Sequence, residues 1–331
     1  MMTPHSSSDD PQHYLQRFFV ASATTDEHQL TQLRLLAKRL RLASLPQLSG
    51  LLAGSHLSRQ KGRGLDLDQL RVYQPGDDIR SIDWRVTART QQPHTRVYKE
   101  ERERPVMILC DQRSPMFFGS QRSFKSVLAA QCSALIAWAA LDHGDRVGAV
   151  VLADHKETDF RPKQRVSHVL NILKTINECN HLLAQPSQSQ GNPITTSLTD
   201  SLNHLKQSLK PGTTLYLISD FFDLSEQDKA TLFALKRHNH IVALQVFDPL
   251  ERTAPPSGLY AVTDGRQQGF LDTQNKQAMQ AYGEAVNVFQ QGIESTFKSL
   301  GIHHQQINAA EIPFAALKLA LELALKQRGC Q

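Results

Sequence analysis

Short apolar runs of strand length alternate along this chain with longer stretches in which apolar residues recur at helical spacing. A strand that is apolar on both faces is typical of the centre of a parallel sheet. Strands that alternate with helices predict an α/β fold with a doubly wound, mostly parallel sheet. The strands are expected at 106–110, 146–153, 214–219 and 241–247, the helices at 122–141, 166–177, 196–209 and 226–237, and a short edge strand at 158–161.

The pattern changes on both sides of this alternation. A polar tail is expected at 1–25, a helical extension with an irregular charged segment at 26–104, and the α/β domain at 105–331. The helix of the extension should start near Asp26. Its apolar face would carry Leu30, Leu33, Leu36, Ala37 and Leu40. The domain should close with a hairpin at 258–273, a helix at 274–300, a strand at 302–307 and a helix at 314–326.

Two of the predicted strands run directly into a carboxylate, Asp111 after the first and Asp220 after 214–219. The carboxyl ends of parallel strands share one edge, which is where open α/β sheets bind ligands. The same residue types also cap helices and start turns, so a purely structural role is an alternative. Thr196 lies at the start of a predicted helix between these two strands, so Asp111, Thr196 and Asp220 are the candidate residues of this edge.

The densest mixture of charge and turn residues lies at 70–99. Opposite charges this close must be partnered. We expect bidentate Arg–carboxylate pairs that are partly buried beside apolar anchors such as Ile79 and Trp84, and these pairs would fix the shape of the segment. Alternatively, some of the charged groups recognise a partner protein or an anionic ligand. The residues singled out are Tyr73, Gly76, Asp77, Asp78, Arg80, Asp83, Trp84 and Arg89.

Composition excludes several classes of function. The formal net charge is +5, but bases and acids are interspersed, which argues against nucleic acid binding. No apolar run is long enough to span a bilayer, and the polar start lacks the features of a signal peptide, so a cytoplasmic protein without membrane insertion is expected. The cysteines Cys110, Cys132, Cys179 and Cys330 form no metal or disulfide motif and are expected to be reduced. His303 and His304 are expected to be solvated at a strand edge rather than to bind metal.

The charged segment carries a specific motif. It contains Y-x-P-G-D-D-I-R-x-I-D-W-x-x-x-A-R, followed by V-Y-K-E-x-E and by an apolar strand that ends in Asp. This order resembles the signature of the DUF58 family (domain of unknown function 58). The resemblance covers roughly residues 60–260 and implies a von Willebrand factor A-like domain after the signature. It also implies a companion of MoxR-type AAA+ ATPases and of another von Willebrand factor A protein, an assembly or maturation factor rather than an enzyme.

The implied fold holds Mg²⁺ with an Asp-x-Ser-x-Ser loop, a Thr and a later Asp. Asp111, Thr196 and Asp220 match the first, middle and last of these positions, whereas Arg113 and Pro115 replace the two serines. Two oxygen ligands are lost. At an effective dielectric constant of about 20, a cation about 4 Å from a divalent ion would repel it by roughly 8 kcal/mol. We therefore expect no cofactor, with Mg²⁺ binding weakened unless Ser114 replaces a ligand. Arg113 would stand in for the ion by pairing with Asp111 or Asp220.

The sequence thus favours a non-enzymatic protein-interaction module. Its residues assemble no Ser-His-Asp or Cys-His set, no G-x-x-x-x-G-K-[ST] loop and no G-x-G-x-x-G loop. The alternative is a Mg²⁺-dependent hydrolase that uses Asp111 and Asp220, with Asp223 as a further ligand.

Overall fold

The computed structural model describes residues 15, 18–19, 21–40, 42, 65–74, 79–100, 105–185, 195–253, 255–263 and 268–326. Two compact units divide the chain: Met1–Pro46 together with Arg104–Gln331, and Gln47–Glu103. The strands are β1 (Leu65–Val72), β2 (His94–Glu100), β3 (Pro105–Gln112), β4 (Arg146–Ala153), β5 (Glu157–Lys163), β6 (Thr214–Ser219), β7 (His240–Phe247), β8 (Leu259–Thr263), β9 (Gln268–Asp272) and β10 (His303–Asn308). The α-helices are α1 (Glu27–Gln32), α2 (Arg34–Ala37), α3 (Trp84–Thr90), α4 (Lys125–Asp142), α5 (Val166–Leu183), α6 (Leu198–Ser208), α7 (Glu226–Lys236), α8 (Lys276–Ser299) and α9 (Pro313–Lys326).

The larger unit is built on a six-stranded sheet with the order β10-β7-β6-β3-β4-β5. Every neighbouring pair is parallel except β4 and β5, which confirms the predicted fold class. The chain moves outward from β3 to β4 and β5 and then returns to β6 on the other side of β3. This reversal places a topological switch point between the carboxyl ends of β3 and β6, where ligands bind in sheets of this kind.

Side chains alternate between the two faces of the sheet, and helices cover both faces. On β3, Ile108 and Cys110 point into one core while Met107 and Leu109 point into the other. The first core is completed by α4, α5 and α9, and the second by α6, α7 and α8. Helix α4 is buried at every position from 125 to 140, which makes it the central helix of its layer.

The N-terminal helices belong to the sheet unit and not to the charged segment with which the sequence analysis grouped them. Asp26 caps α1 by accepting from the His28 N–H at 3.0 Å, as predicted. Trp138 on α4 donates its indole N–H to the Leu30 carbonyl at 3.1 Å. This association follows from burial of the predicted apolar face, whose members Leu30, Leu33, Leu36, Ala37 and Leu40 all lie in the first core.

The end of the chain departs from one expectation. The hairpin, the long helix and the last helix are found, and α5 runs farther than predicted. The prediction that His303 and His304 are solvated is wrong, because α8 and α9 both pack against β10. His303 is buried, and the His304 ring stacks on Phe297 with centroids 5.0 Å apart. Burial, His303 and Arg252 together lower the pKa of His304 to about 4, so this ring is neutral at pH 7.

The smaller unit contains the antiparallel ribbon β1-β2 and the short helix α3. Of the apolar anchors expected in this segment, Ile79 and Trp84 are 63% and 66% exposed, whereas Ile82 and Val86 are half-buried. A two-stranded ribbon with a two-turn helix has no opposite layer that could cover Ile79 and Trp84. Asp83 is buried and accepts from the N–H groups of Arg85 and Val86, which makes it the N-cap of α3.

The remaining signature residues are distributed over this unit. The Tyr73 N–H donates to the Pro93 carbonyl at 2.8 Å, and Arg80 and Arg89 are exposed. Gly76, Asp77 and Asp78 lie outside the described residues. Among the described residues of the whole chain, no helix combines the length and the apolar character needed to cross a membrane.

Candidate functional site

Four parallel strands deliver a carboxylate to the same edge of the sheet. Asp111 lies at the end of β3, and Asp154, Asp220 and Asp248 directly follow β4, β6 and β7. We call these four residues the carboxylate edge. Asp111 and Asp220 were predicted from the sequence, whereas Asp154 and Asp248 were not, although each of them also follows an apolar run. The edge includes the switch point between β3 and β6.

Arg113 holds Asp111 in a bidentate ion pair. Its Nε lies 3.0 Å from Oδ1 and its Nη2 lies 2.7 Å from Oδ2 of Asp111, and the Ser219 hydroxyl donates to the same Oδ2 at 2.7 Å. Asp111 is only 1% exposed. Burial raises the pKa of Asp111, and the hydrogen bonds and charge of Arg113 oppose that rise. A pair of this geometry is among the strongest side-chain interactions, and it keeps the carboxylate oxygens occupied.

The other side of the Arg113 guanidinium binds Asp223. Nη1 lies 2.5 Å from Oδ2 and Nη2 lies 3.0 Å from Oδ1 of Asp223. Burial alone would lower the pKa of Arg113, but the hydrogen bonds to both carboxylates raise it above its usual value. Burial would raise the pKa of Asp223, yet Arg113 and the Leu198 N–H outweigh it and lower that pKa. We call Asp111, Arg113 and Asp223 the Arg113 cluster.

A second cation, Lys125, neutralises the predicted residue Asp220. Its Nζ lies 2.7 Å from Oδ2 of Asp220 and 2.5 Å from Oε1 of Glu251. The Lys125 side chain is 2% exposed, and although burial lowers its pKa, the two carboxylates raise it overall. We call Lys125, Asp220 and Glu251 the Lys125 cluster. The sequence signal for this cluster is a lysine at the start of a helix that has no other charged residue before Asp142, and it was not used in the prediction.

A strained loop separates the two clusters. Phe221 is buried and has a φ of 58°, a left-handed conformation that a bulky residue adopts at a cost of about 1–3 kcal/mol. The Phe221 N–H donates to the Ser219 hydroxyl at 3.1 Å, and the Phe222 N–H donates to Asp220 Oδ1 at 3.1 Å. The turn lets Asp220 and Asp223 reach different cations, although they are three residues apart.

The other predicted site residues are also hydrogen-bonded. Ser114 donates its N–H to Asp154 Oδ1 at 2.7 Å, and its hydroxyl donates to Oδ2 of the same residue. The Thr196 hydroxyl donates to the Ala153 carbonyl at 2.6 Å. Asp248 accepts from the N–H and the hydroxyl of Ser120 at 2.8 and 2.6 Å. The structure therefore places the predicted residues at one edge but gives them separate partners.

A buried polar network supports the Arg113 loop from behind. Gln112 donates to the Ser126 carbonyl at 2.8 Å and accepts from Asn180 at 3.0 Å. Asn180 in turn accepts from the Thr25 N–H at 2.9 Å, which ties in the N-terminal segment. Satisfied buried networks of this kind rigidify their surroundings.

The metal set implied by the resemblance does not fit these contacts. Both Asp111 oxygens accept from Arg113, Asp220 binds Lys125, and the Thr196 hydroxyl is donated to a backbone carbonyl. Within the described ranges, no group of three or more His, Cys, Asp or Glu residues is arranged to hold a metal ion. Mg²⁺ requires a near-octahedral set of oxygen ligands, and here the guanidinium of Arg113 and the ammonium of Lys125 occupy the carboxylate oxygens and would repel the ion.

Comparison with known proteins gives relatives without an assigned role. The uncharacterized proteins Mb1516 of Mycobacterium bovis and Rv1480 of Mycobacterium tuberculosis are each 28% identical over 227 residues, which is 69% of this chain and 69% of theirs. Among solved structures, BatB from Bacteroides thetaiotaomicron matches with 14% identity and a TM-score of 0.40, covering 67% of this chain and 99% of that one. An aerotolerance-related membrane protein from Bacteroides fragilis gives the same identity and TM-score, with 67% and 98% covered.

A family model covers most of the region described above. The model, described as a protein of unknown function, DUF58, matches residues 69–291. The match begins in β1 of the smaller unit, includes both charged clusters and ends in α8. Because it spans more than half of the chain, the protein belongs to the DUF58 family.

Proposed function

We propose that this chain is a non-enzymatic protein-interaction module, an adaptor or an assembly and maturation factor that works with a MoxR-type AAA+ ATPase. The partner would bind at the face formed by Asp111, Arg113, Ser114, Thr196 and Asp220. The observation that carries the proposal is the pair of buried cations, since Arg113 and Lys125 occupy the carboxylates that metal chemistry would need.

The same contacts count against the Mg²⁺-dependent hydrolase. Metal-assisted hydrolysis needs carboxylate oxygens that can bind an ion and an open position for water. The oxygens of Asp111 already accept from Arg113 and Ser219, and Asp220 is bound to Lys125. Fixed ion pairs instead favour a face of constant shape, which suits recognition of a protein surface.

The proposed face also has the exposed rim that a partner requires. Ser114, Pro115 and Phe222 are exposed around the buried ion pairs. A partner bound there would meet these groups and the exposed part of Asp223 at the surface and would not have to displace the buried cations. The family resemblance supplies the kind of partner: the ATPase, another von Willebrand factor A protein, or both, in the cytoplasm.

The test is binding between the purified chain and the MoxR-type ATPase of the same organism, with ATP or with ADP. Ser114→Arg places a bulky cation on the proposed face, and Ser208→Arg is the matched control, because Ser208 is also exposed but lies at the far end of α6. We expect Ser114→Arg to weaken binding at least about tenfold (about 1.4 kcal/mol) and Ser208→Arg to leave it unchanged.

Two results would contradict the proposal. The first is a wild-type chain that binds the ATPase in neither nucleotide state. The second is Mg²⁺-dependent hydrolysis of p-nitrophenyl phosphate by the wild type that Asp111→Asn abolishes, which would favour the hydrolase.

A further inference from the structure

Helix α3 of the smaller unit presents an exposed face that combines an aromatic ring with two guanidinium groups. Trp84 is 66% exposed, although tryptophan is among the residues that proteins usually bury. Arg85, Ala88 and Arg89 are exposed as well, whereas residues 86–87 are half-buried. We call Trp84, Arg85, Ala88 and Arg89 the Trp84 face.

The spacing of these residues brings their side chains to one side of the helix. Trp84 and Ala88 are four residues apart, and so are Arg85 and Arg89. At 3.6 residues per turn the four positions fall within about 140° of the helix circumference. The Cβ atoms of residues four apart lie about 5–6 Å from each other, so the two arginines are neighbours on the surface.

No acidic neighbour on the helix neutralises the two arginines. Helix α3 contains no Asp or Glu, and its N-cap Asp83 is 7% exposed and accepts from backbone N–H groups. Within the part of the chain that the structure describes, the side chains of Arg85 and Arg89 make no ion pair and no hydrogen bond. Guanidinium groups bind carboxylates through two parallel hydrogen bonds, so both arginines are available for such a contact.

An aliphatic side chain before the helix bears on the class of partner. Ile79 lies in the short turn of 3₁₀-helix Ile79–Ser81 that leads to α3, and it is 63% exposed. Single-stranded nucleic acid is bound by several stacking rings along a cationic groove. Helix α3 offers one ring and two cations, and Ile79 has no aromatic face on which a base could stack. Exposed Trp and Arg beside an aliphatic side chain are instead typical of the residues that contribute most to protein interfaces.

We propose that the Trp84 face binds an acidic helical segment of a partner protein. Two carboxylates of that segment, four residues apart, bind Arg85 and Arg89, because this spacing matches that of the arginines. A bulky apolar side chain beside them packs on Trp84 and supplies most of the affinity, while the ion pairs select for an acidic partner. The Trp84 face shares no residue with the face proposed above, so it is a second binding surface and does not depend on the first.

The tryptophans of the chain provide a reporter for this surface. The sequence contains two, and Trp138 is only 1% exposed. Acrylamide in solution therefore quenches the fluorescence of Trp84 much more than that of Trp138. A partner that covers Trp84 should reduce this quenching, and Trp84→Phe should remove the effect.

The probes are tryptophan-free helical peptides of about 15 residues or more, fluorescein-labelled for anisotropy and unlabelled for quenching. The first carries leucines along one face with pairs of glutamates, four residues apart, beside them. The second has glutamine in place of each glutamate, and the third has serine in place of each leucine. A labelled single-stranded oligothymidylate represents nucleic acid. With the full chain, we expect the leucine-glutamate peptide to bind at least about tenfold more tightly than each of the other three probes, and more weakly as salt is added.

The contribution of charge is tested with a double variant. Arg85→Gln with Arg89→Gln should weaken binding of the leucine-glutamate peptide at least about tenfold. Arg165→Gln with Arg237→Gln is the matched control and should leave it unchanged, because it removes two exposed arginines elsewhere on the chain. All four positions are on the surface, so both double variants should fold.

The contribution of the ring is tested in the same way. Trp84→Ser should also weaken binding at least about tenfold, and Phe233→Ser, at an aromatic residue of α7 that is 56% exposed, should leave it unchanged.

Four results would overturn the proposal. These are equal binding of the glutamate and glutamine peptides, unchanged binding by the Arg85 and Arg89 double variant, no binding of any peptide, and tighter binding of the oligothymidylate than of the acidic peptide. The last of these would assign the face to nucleic acid. The ATPase experiment tests Ser114, so the two proposals can fail separately.

Discussion

Two buried cations neutralise carboxylates at the same edge of the sheet, but they differ in origin and in geometry. Arg113 lies two residues from Asp111 and binds it through a planar fork. Lys125 meets Asp220 across 95 residues of sequence, through a single nitrogen. The comparison shows that an ion pair between residues close in sequence can be predicted from a motif. An equally buried pair between distant residues can be identified only from the three-dimensional structure.

The two clusters also differ in how well they protect their carboxylates. Arg113 directs four hydrogen bonds at two carboxylates, and Asp111 is almost completely buried. Lys125 makes two such bonds, and the side chains of its partners Asp220 and Glu251 are 11% and 35% exposed. A buried carboxylate without its cation is strongly destabilising, and the cost decreases as water reaches it.

The largest expected effect comes from Arg113→Leu. The change leaves Asp111 buried without a cation and should lower the free energy of unfolding by about 3–5 kcal/mol. Urea unfolding of the variant and the wild type measures it. Arg237→Leu, at an exposed arginine, is the control and should stay within about 0.5 kcal/mol of the wild type. An Arg113→Leu variant as stable as this control would show that the cluster contributes nothing to folding.

Lys125→Met should have a smaller effect, about 2–3 kcal/mol, since Asp220 keeps the Phe222 N–H and both partner carboxylates are nearer to water. Adding Asp220→Asn removes the unpaired charge and should recover part of the loss. The double-mutant cycle measures the coupling between the two residues. If Asp220→Asn destabilised the Lys125→Met background further, the loss would have to be assigned to packing and not to charge.

The contrast explains how far the sequence could predict the site. An apolar run followed by Asp identifies the end of a buried strand, so Asp111 and Asp220 were placed at one edge correctly. The sequence left Asp111 and Asp220 open as partners of Arg113. The structure pairs Arg113 with Asp111, which lies two residues away, and pairs Asp220 with Lys125 instead. Asp223 reaches Arg113 because the backbone of Phe221 is left-handed. A positive φ at a phenylalanine cannot be predicted from the local sequence, so this second partner was not predicted.

Other differences have similar causes. The Lys125 cluster joins α4 to loops after β6 and β7, so it depends on how the helix packs. His304 was expected at an open edge, but α8 covers it. In the signature segment, Asp83 also serves as a helix cap that accepts from the backbone N–H groups of Arg85 and Val86, a role that the motif did not indicate.

Asp83 tests whether the smaller unit contains a third ion-pair cluster or a cap. Asp83→Ala should cost about 1 kcal/mol because the N-cap of α3 is lost, and Asp83→Asn should cost much less because Asn caps almost as well. Thermal melts of both variants measure the difference. If Asn proved as costly as Ala, the charge of Asp83 would be the important feature, as the sequence analysis expected.

The smallest expected effect concerns Asp223 in acid. Its folded-state pKa lies below the unfolded value of about 3.9, so its contribution to stability is present above that pH and is lost as the pH falls through the folded-state pKa. The stability gap between wild type and Asp223→Asn should therefore shrink between about pH 5 and pH 2. The change in this gap should amount to a fraction of a kcal/mol, because the Asp223 side chain is 35% exposed. A gap that is constant over this range would show that Arg113 does not favour the ionised form of Asp223.

The central claim is that a fixed guanidinium, that of Arg113, occupies the place of a metal ion. Thermal melts of the wild type and of Arg113→Ala, each with and without several millimolar Mg²⁺, test it most directly. The account predicts that Mg²⁺ leaves the wild-type midpoint unchanged. It predicts that Arg113→Ala is less stable, because Asp111 and Asp223 then face each other without a cation, and that Mg²⁺ recovers part of the loss by mass action. A wild-type midpoint that rises with Mg²⁺, together with an Arg113→Ala variant no less stable than the wild type, would contradict the claim.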